Sequence, residues 1–286
     1  RPARHDEPHG AARRAISLTG AVLALALAGG LGALSVLVNR AVPVVDAFYD
    51  APADVPSEPG VLLRAEPFTR RVPDGAVAWR ILYTTTRAEG QAALGSALVV
   101  APAESTATPR PVIAWAHGTT GVAQHCAPSV LAEPFESGAL FALDRVLDAG
   151  WVLVAPDYPG LGTEGTHPYL IGDANARSVL DAVRATHQLG DVGTESETVV
   201  WGHSQGGGVA LWTGQVAPTY APDVDLLGVA AAAPAADLPA FVDTIGSMLG
   251  GSIFASYVLT GYAGAYPDVR FEDYVRPGAA AIVNGL

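Results

Sequence analysis

The sequence predicts an α/β fold with a mostly parallel central sheet flanked by helices, and three observations carry that reading. Apolar strand-like runs alternate with helix-like segments through the middle of the chain. One run, Pro111-Val112-Ile113-Ala114-Trp115-Ala116, is apolar without interruption, as suits a strand covered on both faces. The pentapeptide Gly202-His203-Ser204-Gln205-Gly206 stands between a strand pattern, Thr198 to Trp201, and a helix pattern that opens Gly207-Gly208-Val209-Ala210-Leu211-Trp212. That is the context of a sharp strand-to-helix turn.

The elements follow in order. Residues 41–60 carry Pro43, Pro52, Pro56 and Pro59 among Ala, Asp and Ser, a connector composition after which the folded domain is expected to begin. Val61 to Arg64 is a first strand, and Ala76 to Thr86 with Ala92 to Val100 is a hairpin turning at Arg87-Ala88-Glu89-Gly90. After the strand Pro111 to Ala116, a helix over Glu136 to Ala149 precedes a strand from Trp151 to Ala155. A helix from Asp173 to Leu189 precedes the strand that feeds the pentapeptide, and Asp225 to Ala232 is the strand after the next helix. From Asp237 the strand pattern stops: residues 244–267 hold no charge, while Phe241, Ile245, Met248, Leu249 and Ile253 recur at helical spacing. The expected organisation is therefore a core over 61–235 and a helical cap beginning over 236–286.

Composition describes a folded protein: half of the 286 residues are hydrophobic and 15% are charged, enough to bury a large core. The net charge of −12 conceals an asymmetry, since residues 1–40 hold five Arg against Asp6 and Glu7. The acidic remainder argues against nucleic acid as a partner. Arg13-Arg14 precede an uncharged run from Ala15 to Val38, whose 24 residues would rise about 36 Å as a helix, enough to cross a bilayer core. Two readings are open. One is a single-pass anchor; the other is a cleaved signal peptide with an apolar region from Ile16 to Ala28 and a small-x-small site at Ala33-Leu34-Ser35. Ser17 argues against twin-arginine export. Either reading places the folded part outside the cytoplasm.

The pentapeptide carries the chemistry. In a tight strand-to-helix turn, the serine hydroxyl projects from the sheet edge, and only glycines at Gly202 and Gly206 clear the neighbouring strand and helix. Ser204 is thus the candidate nucleophile, with His203 between it and Gly202. Acyl transfer also needs two backbone N–H groups facing the developing oxyanion. Gln205, at the positive end of its helix, is one candidate. The second is Thr119, in the loop His117-Gly118-Thr119-Thr120-Gly121 that follows the apolar strand. His117 is read as a brace of that loop. Asp157 precedes the nucleophile and is read as a loop brace rather than the acid of a triad.

At this point the sequence resembles a known family. Trp115-Ala116-His117-Gly118-Thr119-Thr120-Gly121, Cys126-Ala127-Pro128-Ser129, Ala155-Pro156-Asp157-Tyr158-Pro159-Gly160-Leu161-Gly162, Gly165-Thr166-His167-Pro168-Tyr169-Leu170 and Gly202-His203-Ser204-Gln205-Gly206-Gly207 occur in the order seen in the secretory lipases of the lipase A type. The likeness runs from about Phe48 to the end of the chain. It implies an α/β-hydrolase core, a Ser-Asp-His triad, and a helical cap inserted after the sixth strand of that core. It also implies hydrolysis of carboxylic esters, including triacylglycerols, without metal or organic cofactor. The partners it implies are a lipid or small ester substrate and a lipid interface. The uncharged cap then lines an acyl pocket, meets a lipid surface, or is a plain buried helix, and Gly250-Gly251 with Ser256 argue against a second membrane span.

The chain departs from the pattern at one place. The triad order is Ser, then Asp or Glu, then His, yet the last of the seven histidines is His203. His125, His167 and His187 lie in loops and a helix and read as structural or solvated. Asp223, Asp225, Asp237, Asp243, Asp268, Glu272 and Asp273 follow Ser204, but none occupies the position after a seventh strand. A triad Asp and His are not identifiable in this chain, and they are expected beyond Leu286, with part of the core. The lone Cys126 is either buried or half of a disulfide with a partner further on. Other α/β-hydrolase activities, such as peptidase or acyltransferase, fit the same elbow. A catalytically incomplete surface or binding protein fits the absent base.

Overall fold

A computed structural model describes residues 42–104, 106–137 and 142–275. Seven strands form one sheet: β1 (Leu62–Phe68), β2 (Ala76–Thr86), β3 (Ala92–Pro102), β4 (Arg110–Ala116), β5 (Val152–Pro156), β6 (Thr194–His203) and β7 (Asp225–Ala232), in the order β1-β2-β3-β5-β4-β6-β7. The expected α/β class holds, and the sheet is mixed. β5, β4, β6 and β7 run parallel, as the helix-strand alternation requires, and β1, β2 and β3 add an antiparallel meander on one side. The helices are α1 (Pro134–Ser137), α2 (Leu143–Asp148), α3 (Gly172–His187), α4 (Gln205–Tyr220), α5 (Leu238–Ile245) and α6 (Gly251–Ala265).

Uninterrupted apolar strands are explained by cover on both faces. Val99, Val112, Ala114, Val152 and Val154 join the core beneath α3 and α4, whereas Leu98, Val100, Trp115 and Leu153 point the other way, toward Leu143 and Val146 of α2. Trp115 meets Trp201 edge to face, with ring centres 5.3 Å apart. β1 and β7 are the edge strands among the described residues, and on β7 Leu227 and Val229 are exposed.

Three expectations are corrected. The segment 41–60 is not wholly a connector: the compact unit starts at Val44, and Asp46 caps a 3₁₀ turn, Ala47–Tyr49, whose Phe48 and Tyr49 are buried in the core. Arg80 lies 4.2 Å over the Phe48 ring and pairs with Asp46, fastening the turn to β2. The helix expected over Glu136 to Ala149 is two short ones, with Ala142 at φ 63° starting the second. The cap pattern is likewise two helices, α5 and α6, because Gly250 at φ 75° begins a new one; Ile245 is buried, whereas Met248 and Leu249 are exposed. The stretch 1–40, read as anchor or signal, lies outside the described residues. Among the described residues no helix is long and apolar enough to cross a membrane.

A polar cluster ties the meander to the two large helices. Asp181 of α3 is buried and accepts hydrogen bonds from Thr85 (2.7 Å), Tyr220 (2.8 Å) and Arg184 (3.1 Å), while Arg184 also pairs with Asp223. Arg184→Ala would leave the Asp181 carboxylate buried without its cation. It is expected to lower the unfolding free energy by about 3 kcal/mol, read from the urea midpoint; an unchanged midpoint would show that the cluster adds nothing to stability.

Candidate active site

β6 ends at His203 and α4 begins at Gln205, so a single residue, Ser204, turns the chain from strand to helix. It does so at φ 57°, ψ −120°, a strained conformation for a residue with a side chain. A serine at a helix start ordinarily spends its hydroxyl capping the first turn. The positive φ prevents that here, and Ser204 makes no side-chain cap bond. Ser204 is partly exposed. The backbone of Ser204 is pinned: its N–H donates to Ala232 O of β7 (3.0 Å), and its carbonyl accepts from Ala235 N (3.0 Å) and Gly208 N (3.2 Å).

Glycines make the turn possible by close approach. A Cβ on Gly202 would lie 2.1 Å from Gly206 O, and one on Gly206 would lie 1.9 Å from Ala116 O, at the end of β4. The loop after β4 is thereby brought against the elbow. A Cβ on Gly118 would lie 3.7 Å from Ser204 Cβ, so the His117–Gly121 loop flanks the nucleophile, where a second oxyanion donor belongs.

The side chains of both candidate donors are anchored. Gln205 is buried, and its amide lies 3.0 Å from His167 Nε2. Because His167 Nδ1 faces Pro159 O at 3.2 Å, the network assigns the proton to Nδ1, so that Nε2 accepts from Gln205. Complete burial, with the nearby His117 ring adding to it, pushes the His167 pKa down to about 3, and the ring is neutral under working conditions. Thr119 Oγ1 lies 2.8 Å from the Tyr169 hydroxyl.

His117 and His187 are held by partners other than Ser204. His117 is buried with both ring nitrogens turned to backbone carbonyls, Nδ1 to Gly118 O (2.6 Å) and Nε2 to Asp157 O (3.1 Å), and it stacks on Tyr158 at 4.3 Å. It braces the loop. His187 Nδ1 pairs with Thr194 Oγ1 at 2.7 Å on the far end of α3, and His125 sits in the 3₁₀ turn Gln124–Cys126. The hydrogen bonds of the His117, His167 and His187 rings go to partners other than Ser204 Oγ. Cys126 is a free thiol, half buried against Gly121.

Asp157 is buried and accepts from Ser129 N (2.8 Å), Ser129 Oγ (2.5 Å) and Ser96 Oγ (2.6 Å), which binds the loop after β5 to β3. Burial outweighs those bonds and pushes its pKa from 3.8 up to about 6. The folded protein accordingly favours the neutral acid. Its stabilisation is complete below about pH 4 and is lost as the pH rises through 6, and a rise of this size corresponds to roughly 3 kcal/mol. Asp157→Asn is expected to flatten the fall in stability between pH 4 and 7.5, measured by urea unfolding at both pH values. An equally steep fall in the variant would refute this.

Ser204, His203, Gly202, Gly206, Gln205 and Thr119, expected together from the sequence, lie at or just beyond the ends of the neighbouring strands β4 and β6. The sequence did not single out a role for Tyr169, although Tyr169 stands in the Gly165–Leu170 block of the family resemblance. Among the described residues no cluster of His, Cys, Asp or Glu is arranged to hold a metal ion.

Comparison with known proteins agrees with this geometry. The model of the secretory lipase family matches residues 137–281. A probable inactive lipase of Mycobacterium tuberculosis is 28% identical over 216 residues, covering 70% of this chain and 48% of its own. A secreted triacylglycerol lipase of Malassezia globosa is 29% identical over 245 residues, covering 80% of this chain and 51% of its own. Lipase A of Candida antarctica, in its closed state, superposes with a TM-score of 0.65 at 21% identity over 85% of this chain and 59% of the lipase, which shows a shared α/β-hydrolase fold. The chain thus spans about half the length of the curated relatives it matches.

Proposed function

Since the chain belongs to the secretory lipase family, we propose that it is the nucleophile-bearing part of a serine carboxylic-ester hydrolase, with a triacylglycerol or smaller ester as substrate. The observation that carries this reading is the uncapped Ser204 at φ 57°, with the Gly118 loop beside it. In the proposed reaction, Ser204 Oγ attacks the ester carbonyl, and the N–H groups of Gln205 and Thr119 hold the oxyanion. The alcohol leaves with a proton, and water then releases the acid. Neither step calls for a metal or organic cofactor. A hydroxyl needs an imidazole to take its proton, and no histidine follows Ser204 in these 286 residues. Secreted relatives support an extracytoplasmic site of action, with the lipid interface as the proposed partner.

The test is hydrolysis of a short-chain p-nitrophenyl ester and of tributyrin. The 286-residue polypeptide is expected to be a poor esterase, with the roughly 10³- to 10⁴-fold residual acceleration that an oxyanion hole leaves when the triad is incomplete. A chain extended to include the His and Asp is expected to turn over far faster. Equal activity in the two would return the search for the base to His117, His125 and His167. The second reading, a catalytically incomplete hydrolase-like surface or binding protein, is favoured by the lack of a histidine after His203 and by the likeness to a probable inactive lipase. Ester binding without turnover in the extended chain would establish it.

A further inference from the structure

Both candidate oxyanion donors are fastened by their side chains to one short segment. Gln205 donates its amide N–H to His167, and Thr119 meets the hydroxyl of Tyr169, two residues on. The segment itself is rigid. The His167 ring stacks with Tyr158 (centres 5.8 Å apart), which stacks in turn on His117 at the root of the Thr119 loop, and the Tyr158 hydroxyl donates to His117 O at 3.1 Å. Asn175, at the start of α3, donates to Pro168 O at 2.7 Å. From the cap side, α6 presses on the same residues: a Cβ on Gly261 would lie 2.7 Å from Tyr169 N and 3.2 Å from His167 O. Tyr257 of α6 meets the Tyr169 ring edge to face at 5.7 Å.

We infer that His167 and Tyr169 are positioning residues for ester hydrolysis: the imidazole fixes Gln205, the phenol fixes Thr119, and the shared backbone sets the spacing of the two oxyanion donors. The physical reason is that backbone N–H donors stabilise an oxyanion only when held at the distance the transition state requires, and misplacement by about 1 Å costs on the order of 100-fold in rate. A backbone amide cannot be tuned by its own side chain chemistry. It can be held by what that side chain grips. Here the grip is a neutral imidazole acceptor and a phenol, both fixed by ring packing and therefore slow to rearrange.

This inference rests on the serine-hydrolase reading, and the test separates the two. A chain whose triad is complete is treated with an alkyl fluorophosphonate: the Ser204 Oγ–P bond forms, fluoride leaves, and the hydroxyl proton passes to the catalytic imidazole. Saturation of the labelling rate gives a maximal rate and a half-saturating concentration for wild type, His167→Leu, His167→Gln and Tyr169→Phe. His167→Leu and Tyr169→Phe are expected to lower the maximal rate about 10- to 100-fold, with half-saturation changed less than about twofold, the signature of a lost transition-state interaction. His167→Gln is expected to recover most of the rate, because its amide oxygen can take the Gln205 N–H. Tyr169→Phe removes one oxygen and tests the claim even where a His167 variant folds poorly. Labelling of Ser204 at an unchanged maximal rate in Tyr169→Phe and His167→Leu, or no recovery in His167→Gln, would overturn the positioning role alone. Absence of any label on Ser204 in the wild type would overturn it together with the reading beneath it.

Discussion

Ser204→Ala should abolish the acyl-enzyme and, in a chain whose triad is complete, lower kcat/KM for ester hydrolysis by at least about 10³-fold. The substitution removes one oxygen whose position follows from backbone geometry alone, since φ 57° at Ser204 directs the side chain away from the helix it starts. The fold should therefore survive, with a urea midpoint close to that of the wild type. Because the hydroxyl makes no capping bond, its loss leaves the start of the helix uncapped as before. Activity within tenfold of wild type would exclude this serine as the nucleophile.

Gly206→Ala should be strongly destabilising. It would set a Cβ 1.9 Å from Ala116 O and 2.5 Å from His117 O, both backbone atoms that cannot swing aside. The elbow or the end of β4 must move, at about 3 kcal/mol or more. Gly190→Ala is the matched control, since nothing lies within 4 Å of a Cβ there. It should change stability by less than about 1 kcal/mol. Urea unfolding of both variants decides the matter, and a Gly206→Ala midpoint equal to the control would show that the close approach is not enforced.

The parts of the fold legible in the sequence were those fixed by local chemistry. Ala76 to Thr86 and Asp225 to Ala232 are strands with the bounds their pattern indicates, because apolar content and breakers coincide there. The elbow was legible because its glycines answer to a steric demand within five residues of one another. What escaped depends on contacts distant in sequence. Phe48 and Tyr49 sit among prolines and polar residues, and only their partners on β2 and at Ser129 make them core. The cap pattern gave helix but not the break at Gly250, since glycine at helical spacing reads equally as a lapse in propensity. His167 reads from the sequence as structural or solvated, and the choice between the two rests on Gln205 and Pro159, which are 38 and 8 residues away. Asp157 was legible as a brace by its position before the nucleophile, whereas its serine partners, from β3 and from the loop after β4, were not.

The central claim is that Ser204 forms a covalent acyl intermediate. Incubation of the chain with p-nitrophenyl butyrate, followed by acid quench and peptide fragmentation by mass spectrometry, tests it directly. In a chain whose triad is complete, quenched within the first turnover, the account predicts a butyryl group on Ser204, released p-nitrophenol stoichiometric with that label, and neither in Ser204→Ala. A butyryl group on another residue, or p-nitrophenol release that persists in Ser204→Ala, would contradict it.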